Sequence, residues 1–208
     1  MSQAPHYAMP FAIPEAQTEH IVRKMFDLPY ANLSPAQKLD IYWPAEGNGP
    51  FPVVVSVHGG AFMGGDKRDI QLMPMFEVLK RGYALVGVNY RMSAEAKFPA
   101  LVHDIKAAIR WIRANAERYL FDPHKIATWG GSAGGYLSLM AGVAAGIREL
   151  DDPSLGNVDQ PDNVQAVVSW FPPTDFLKMD EQLAESGFLP PPEFAHSGEN
   201  SPESLLLG

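Results

Sequence analysis

Ile126-Ala127-Thr128-Trp129-Gly130-Gly131-Ser132-Ala133-Gly134-Gly135-Tyr136-Leu137 decides the fold of this chain. A short apolar run with β-branched members reads as a strand. It enters four glycines wrapped around one serine and one alanine, and Ala133 to Ile147 then reads as a small-residue helix. G-x-S-x-G between strand and helix is the context of a nucleophile elbow. The turn is tight enough to hold Ser132 at positive φ, and side chains two residues away would press on backbone, so Gly130 and Gly134 carry none. The serine hydroxyl is lifted clear at a helix N-terminus, where unpaired N–H groups and the helix dipole favour developing negative charge. The Ala133 N–H is a natural oxyanion donor there.

Working outward, Lys38–Trp43 reads as a strand closed by Pro44, and Pro52–His58 as a strand buried on both faces, hence parallel. Met73–Lys80 reads as helical and stops at Gly82, and Tyr83–Tyr90 is a second buried strand. From Pro99 an apolar stripe at spacings of three and four runs through Leu101, Ile105, Ile109, Ile112 and Tyr119. It predicts one amphipathic helix of about five turns, with Lys106, Arg110 and Arg113 pointing away from the stripe. Val164–Trp170 reads as a further buried strand. Strict alternation of strand and helix predicts right-handed crossovers and an α/β, doubly wound, mostly parallel sheet.

The chain has 208 residues, which suffices for one domain with a core. Its division is read as an N-terminal arm 1–36, a core 37–171 and a cap or excursion 172–208. A net charge of −8 with scattered basic residues gives no phosphate-tracking stripe, so no nucleic-acid partner is expected. No cysteine is present, which removes thiolate nucleophiles, disulfides and Cys-ligated metals and leaves Ser, Thr, Lys or a carboxylate as nucleophile. The histidines show no H-x-x-H or H-E-x-x-H spacing, so neither a metal nor a cofactor is expected. Ile126–Ile147 carries no charge, but six glycines and several polar side chains make it a poor membrane span, and no membrane partner is expected. Met1–Pro10 has neither basic residue nor apolar core, so no signal peptide is read and a cytoplasmic location is expected.

A second glycine loop, His58-Gly59-Gly60-Ala61-Phe62, follows the strand that ends at Val57. Glycines there let N–H groups turn toward a substrate carbonyl, and loops at the carboxyl ends of parallel strands share one crevice. A Walker A reading fails because Gly65, not Lys, follows Gly64, and the chain holds no G-x-G-x-x-G.

Gln37 to Tyr42, His58-Gly59-Gly60, Asn89-Tyr90-Arg91-Met92-Ser93, Phe98-Pro99-Ala100, Asp104 and Gly130 to Gly135, in that order, resemble the α/β-hydrolase esterases of the hormone-sensitive-lipase-like and bacterial carboxylesterase group, acetyl and feruloyl esterases among them. The resemblance implies hydrolysis of small or aromatic acyl esters through an acyl-enzyme on Ser132, with Gly59, Gly60 and Ala133 as the oxyanion hole. It implies that His58 orients its loop rather than acting as base. Arg91 and Asp104 read as a buried pair fixing that loop. A triad in this fold runs Ser, acid, His, and past Ser132 only His196 is a histidine, so Asp175 and His196 complete the order formally. Neither follows a recognisable strand, and the family's acid- and base-bearing strands are not visible, so the chain is expected to be C-terminally incomplete. A non-catalytic ligand-binding hydrolase fold is the alternative. Homo-oligomerisation through an unpaired sheet edge is also open.

Overall fold

Runs rich in valine at the centre of the chain build a single sheet, and the computed structural model describes residues 13–187 and 195–208. Its strands are β1 (Lys24–Pro29), β2 (Lys38–Tyr42), β3 (Phe51–Val57), β4 (Ala84–Val88), β5 (Phe121–Gly131) and β6 (Ala166–Trp170). They lie in the order β1-β2-β4-β3-β5-β6. β4, β3, β5 and β6 are parallel, and β2 joins β4 antiparallel with β1 outside it. The helices are α1 (Ala100–Ala114), α2 (Ala116–Tyr119), α3 (Ala133–Val143), α4 (Met179–Glu185) and α5 (Pro202–Leu207). The doubly wound, mostly parallel α/β class read from the sequence is the class observed.

Both faces of the central strands are covered. Val53, Val55 and Val57 of β3 and Val86 and Val88 of β4 pack with Ile105, Ile109 and Ile112 of α1 and Leu137 of α3. On the opposite face Val54, Leu85 and Tyr42 pack on Leu72, Met75 and Phe76 of a 3-10 helix, Ile70–Arg81. That element begins earlier than its apolar pattern predicts, because the Asp69 side chain accepts the Gln71 N–H as an N-cap. Pro74 lies inside it, and Gly82 closes it at φ 80°.

Three expectations need correction. β1 lies inside the supposed N-terminal arm. Its residues, Lys-Met-Phe-Asp-Leu-Pro, are mostly exposed on a sheet edge and show no period of two. The helix after Pro99 is two helices, broken at Asn115, whose Nδ2 donates to the Trp111 carbonyl at 2.9 Å. Lys106, Arg110 and Arg113 lie off the apolar stripe, as read, and are nonetheless buried. Lys106 Nζ donates to Ala144 O and pairs with Asp162 at 2.8 Å, Arg110 pairs with Asp151 and donates to the Gly156 and Asp152 carbonyls, and Arg113 donates to Pro123, Pro161 and Asn163. The cations tie down the chain between α3 and β6.

β6 is the third correction. Its residues alternate between exposed and half-buried, with Val168 41% and Trp170 37% exposed, so one face of this strand is uncovered among the described residues. No described helix is long and apolar enough to cross a membrane.

One buried ion pair locks the loop after β4 to α1. Asp104, fully buried, accepts the Arg91 guanidinium at 2.8 Å, the Arg91 N–H at 2.9 Å and Gln37 Nε2 at 2.8 Å. Removing the carboxylate leaves a guanidinium and two further donors unpaired in the core. Asp104→Ala is expected to cost about 3–5 kcal/mol, read as a lower midpoint in urea unfolding.

Candidate active site

The register of the sheet brings the two glycine loops together. Val57, last residue of β3, pairs with Gly130 of β5, so the chain leaving β3 at His58 and the turn leaving β5 at Ser132 emerge side by side at the carboxyl edge. Ser132 is the N-cap of α3 at φ 55° and ψ −125°, a conformation that costs a non-glycine residue free energy and persists only when its surroundings enforce it. Here they do. The Ser132 N–H donates to Trp170 O at 2.9 Å on β6, and Ser132 O accepts Tyr136 N–H at 3.0 Å. On the other side of the turn, a Cβ on Gly134 would collide with the carbonyls of Val57, the end of β3, and of His58 just beyond it, so the start of α3 lies directly against that backbone.

The loop after β3 is held at several points. Ala61 and Phe62 have φ of 54° and 61°, and Gly60 has φ 122°. Gly60 O accepts the Met63 and Gly64 N–H groups, and Ser93 N–H donates to Phe62 O at 2.8 Å. His58 is buried and stacks on Tyr90 with centroids 4.6 Å apart. Tyr90 OH donates to His58 O at 2.9 Å. Because a carbonyl only accepts, His58 Nδ1 carries the proton it donates to Gly59 O at 2.8 Å. Burial holds the imidazole below its ordinary 6.5 and so neutral. The His58 ring is thus buried against Tyr90 and bonded within its own loop, with no hydrogen bond to Ser132.

Not every expected donor is available. The Gly59 N–H, expected in the oxyanion hole, is already given to Gln71 Oε1 at 3.0 Å. The Gly60 and Ala61 N–H groups have no partner among the described residues, and Ala133 N–H opens α3. Ala61 and Gln71 are the residues that reading the sequence passes over. Neither is glycine or titratable; Ala61 adjoins Gly60 in the loop, whereas Gln71 lies twelve residues beyond Gly59 and carries no local signal.

Ser132 opens onto a cavity of about 410 Å³, roofed by the segment after β6 and lined in part by Phe62, Phe171, Met179 and Leu183. Asp175 and His196 also line it, but they do not pair with each other. Asp175 lies 3.7 Å from Lys178 at the start of a 3-10 turn, whereas His196 Nδ1 stands 3.1 Å from the buried Glu203 Oε2. The formal order Ser132, Asp175, His196 thus has its members around one cavity with the wrong carboxylate on the imidazole. Among the described residues no imidazole is hydrogen-bonded to Ser132. No cluster of three or more His, Asp or Glu side chains suited to a metal ion occurs among them either.

A serine held at positive φ where a helix leaves a parallel strand, facing a glycine loop at the end of the neighbouring strand, defines an esterase-like α/β hydrolase. The chain belongs to the BD-FAE family, whose model matches residues 39–208. It is 32% identical over 161 residues to a probable carboxylic ester hydrolase, LipM, of Mycobacterium tuberculosis, covering 76% of this chain and 36% of LipM. It is 30% identical to carboxylesterase NlhH of the same species, covering 78% of this chain and 60% of NlhH. A solved truncated form of a carbohydrate esterase from gut microbiota superposes with a TM-score of 0.80 at 29% identity, covering 93% of this chain and 68% of that one. The chain spans about a third of LipM and three fifths of NlhH.

Two outcomes follow from this geometry. Gly134→Ala is expected to cost at least about 3 kcal/mol, seen as a lower melting temperature, because the clash is with main chain that cannot rotate away. For His58 the folded state binds fewer protons than the unfolded chain, so stability drains away as pH falls below 6.5. His58→Gln is expected to flatten the fall of unfolding free energy from pH 6.5 to about pH 5, measured by urea titration at each pH.

Proposed function

We propose that the protein hydrolyses carboxylic esters through an acyl-enzyme on Ser132. The reading rests above all on the strained Ser132 backbone, which places the hydroxyl at the mouth of a cavity beside uncommitted N–H groups. Ser132 Oγ attacks the ester carbonyl carbon, the carbonyl π pair moves onto oxygen, and the hydroxyl proton ends on the alkoxide oxygen that leaves. The N–H groups of Gly60, Ala61 and Ala133 stabilise that oxyanion; Gly59, whose N–H is engaged, shapes the loop instead. Collapse re-forms the carbonyl and expels the alcohol; water then attacks the acyl carbon, the bond to Oγ breaks, and one proton of the water returns to Ser132 as the acid leaves.

The carboxylesterase and carbohydrate-esterase relatives support ester hydrolysis as the reaction class. Small or aromatic acyl groups suit a cavity of about 410 Å³ whose walls include Phe62 and Phe171. No cofactor or metal enters the scheme. A second reading, ligand binding without turnover, is favoured by one observation: Ser132 has no hydrogen-bonded imidazole among the described residues.

Turnover of a short-chain nitrophenyl ester separates the two. Ser132→Ala is expected to abolish hydrolysis, and the mass increase left by a fluorophosphonate, while leaving the circular dichroism spectrum unchanged. Ester hydrolysis undiminished in Ser132→Ala would remove Ser132 from the reaction, and saturable ester binding with no turnover in the unaltered protein would favour the binding reading.

A further inference from the structure

The Gly59 N–H points at a side chain rather than at the cavity, and that side chain is itself tightly constrained. Gln71 Nε2 donates to Asp69 Oδ2 at 2.9 Å, and the Gln71 N–H donates to Asp69 Oδ1 at 2.9 Å. A carboxylate accepts and never donates while ionised, so the amide nitrogen must be the atom facing Asp69. The amide oxygen is thereby turned the other way, onto the Gly59 N–H at 3.0 Å. Asp69 is 3% exposed, so water competes little for these bonds.

Gly59 lies against the elbow. A Cβ built on it would stand 3.4 Å from Ser132 Cβ and 2.8 Å from Gly131 O, so a small rotation of the peptide before Gly59 is transmitted to the serine's surroundings. The next residues, Gly60, Ala61 and Phe62, all have positive φ, and while the Gly60 and Phe62 carbonyls are held by backbone N–H groups, the Gly60 and Ala61 N–H groups have no partner among the described residues.

We propose that Gln71 is a positioning residue for the oxyanion loop: oriented by Asp69, it fastens the Gly59 N–H and so sets the direction of the uncommitted Gly60 and Ala61 N–H groups, Ala61 itself lying in the cavity wall. The two residues act in series. Asp69 caps the 3-10 helix and fixes the amide, and the amide fixes the loop. The catalytic consequence rests on the ester-hydrolase reading above, whereas the structural consequence does not.

The test therefore has two arms on the full chain. In the first, amide hydrogen exchange at Gly59 is followed by NMR in the unaltered protein, in Gln71→Met, which keeps length and loses the acceptor, and in Asp69→Asn, which keeps Gln71 but no longer dictates which way its amide faces. Exchange at Gly59 is expected to rise at least about tenfold in Gln71→Met and by a smaller factor in Asp69→Asn, with the α1 amides unchanged. In the second, ester turnover and the rate of fluorophosphonate capture at Ser132 are measured. Gln71→Met is expected to lower kcat and the capture rate on the order of tenfold with KM within about twofold, because the loss falls on the charged transition state and not on ground-state binding. A variant with Gly59 exchange and capture both unchanged overturns the proposal, as does a kcat loss matched by a general rise in exchange across α1. If the unaltered chain neither turns over ester nor takes the phosphonate, the ester-hydrolase reading falls, and Gly59 exchange alone decides whether Gln71 holds the loop.

Discussion

The contact between the first turn of α3 and the backbone of β3 is the constraint on which the site depends. At Gly134 there is no room for even a methyl group against the Val57 and His58 carbonyls, and at Gly130 none against Gly134. Two main chains in direct contact cannot slide as two layers of side chains can, so the elbow is fixed relative to the sheet to within a fraction of a van der Waals radius. The Ser132 dihedrals follow from this, because the chain must leave β5 and enter α3 with no spare residue. So does the approach of the two loops, since Val57 and Gly130 are register partners. Fold and site are in this respect a single packing problem.

Much of this is legible in the sequence because it is written in residue types that have few other uses. Gly130, Gly131, Gly134 and Gly135 around Ser132, the valine run before His58 and the Pro99 helix start each point to one local structure, and each is found where its pattern puts it. Arg91 and Asp104 likewise read as a buried pair and are one. What the sequence hides are consequences of tertiary context. β1 has no periodicity because both its faces are largely open, and β6 looks buried because its Val-Val-Ser-Trp composition matches that of a covered strand. The three cations of α1 fall off the apolar stripe, and helical periodicity alone sends such residues to water. Only the position of a later segment shows that they have carbonyls and carboxylates to meet.

The site divides along the same line. Ser132 and the glycine loop carry a chemical signature, whereas the allocation of individual N–H groups does not. Which amide of His58-Gly59-Gly60-Ala61 is free depends on an acceptor twelve residues further along, and Gln71 has no reason in its own composition to attract notice. Glu203 is hidden in the same way. It is an acid in the first turn of a helix capped by Ser201, a common surface position, yet α5 packs Leu206 into the core and carries the carboxylate into the cavity beside His196.

The cations of α1 set how freely the protein's sequence can vary. Lys106, Arg110 and Arg113 hold residues 144–163 largely by main-chain oxygens, those of Ala144, Ile147, Asp152, Gly156, Pro161 and Asn163. A carbonyl is supplied by any residue, so apart from Asp151, Asp162 and the core-packed Ala144, Leu150 and Leu155 this segment can change its side chains and keep every anchor. It cannot so readily change its length, because an inserted residue would move each oxygen away from the donor that meets it. Substitution and insertion thus meet opposite tolerances in one surface segment, and the helix that enforces the difference contributes not one side chain to the cavity lining.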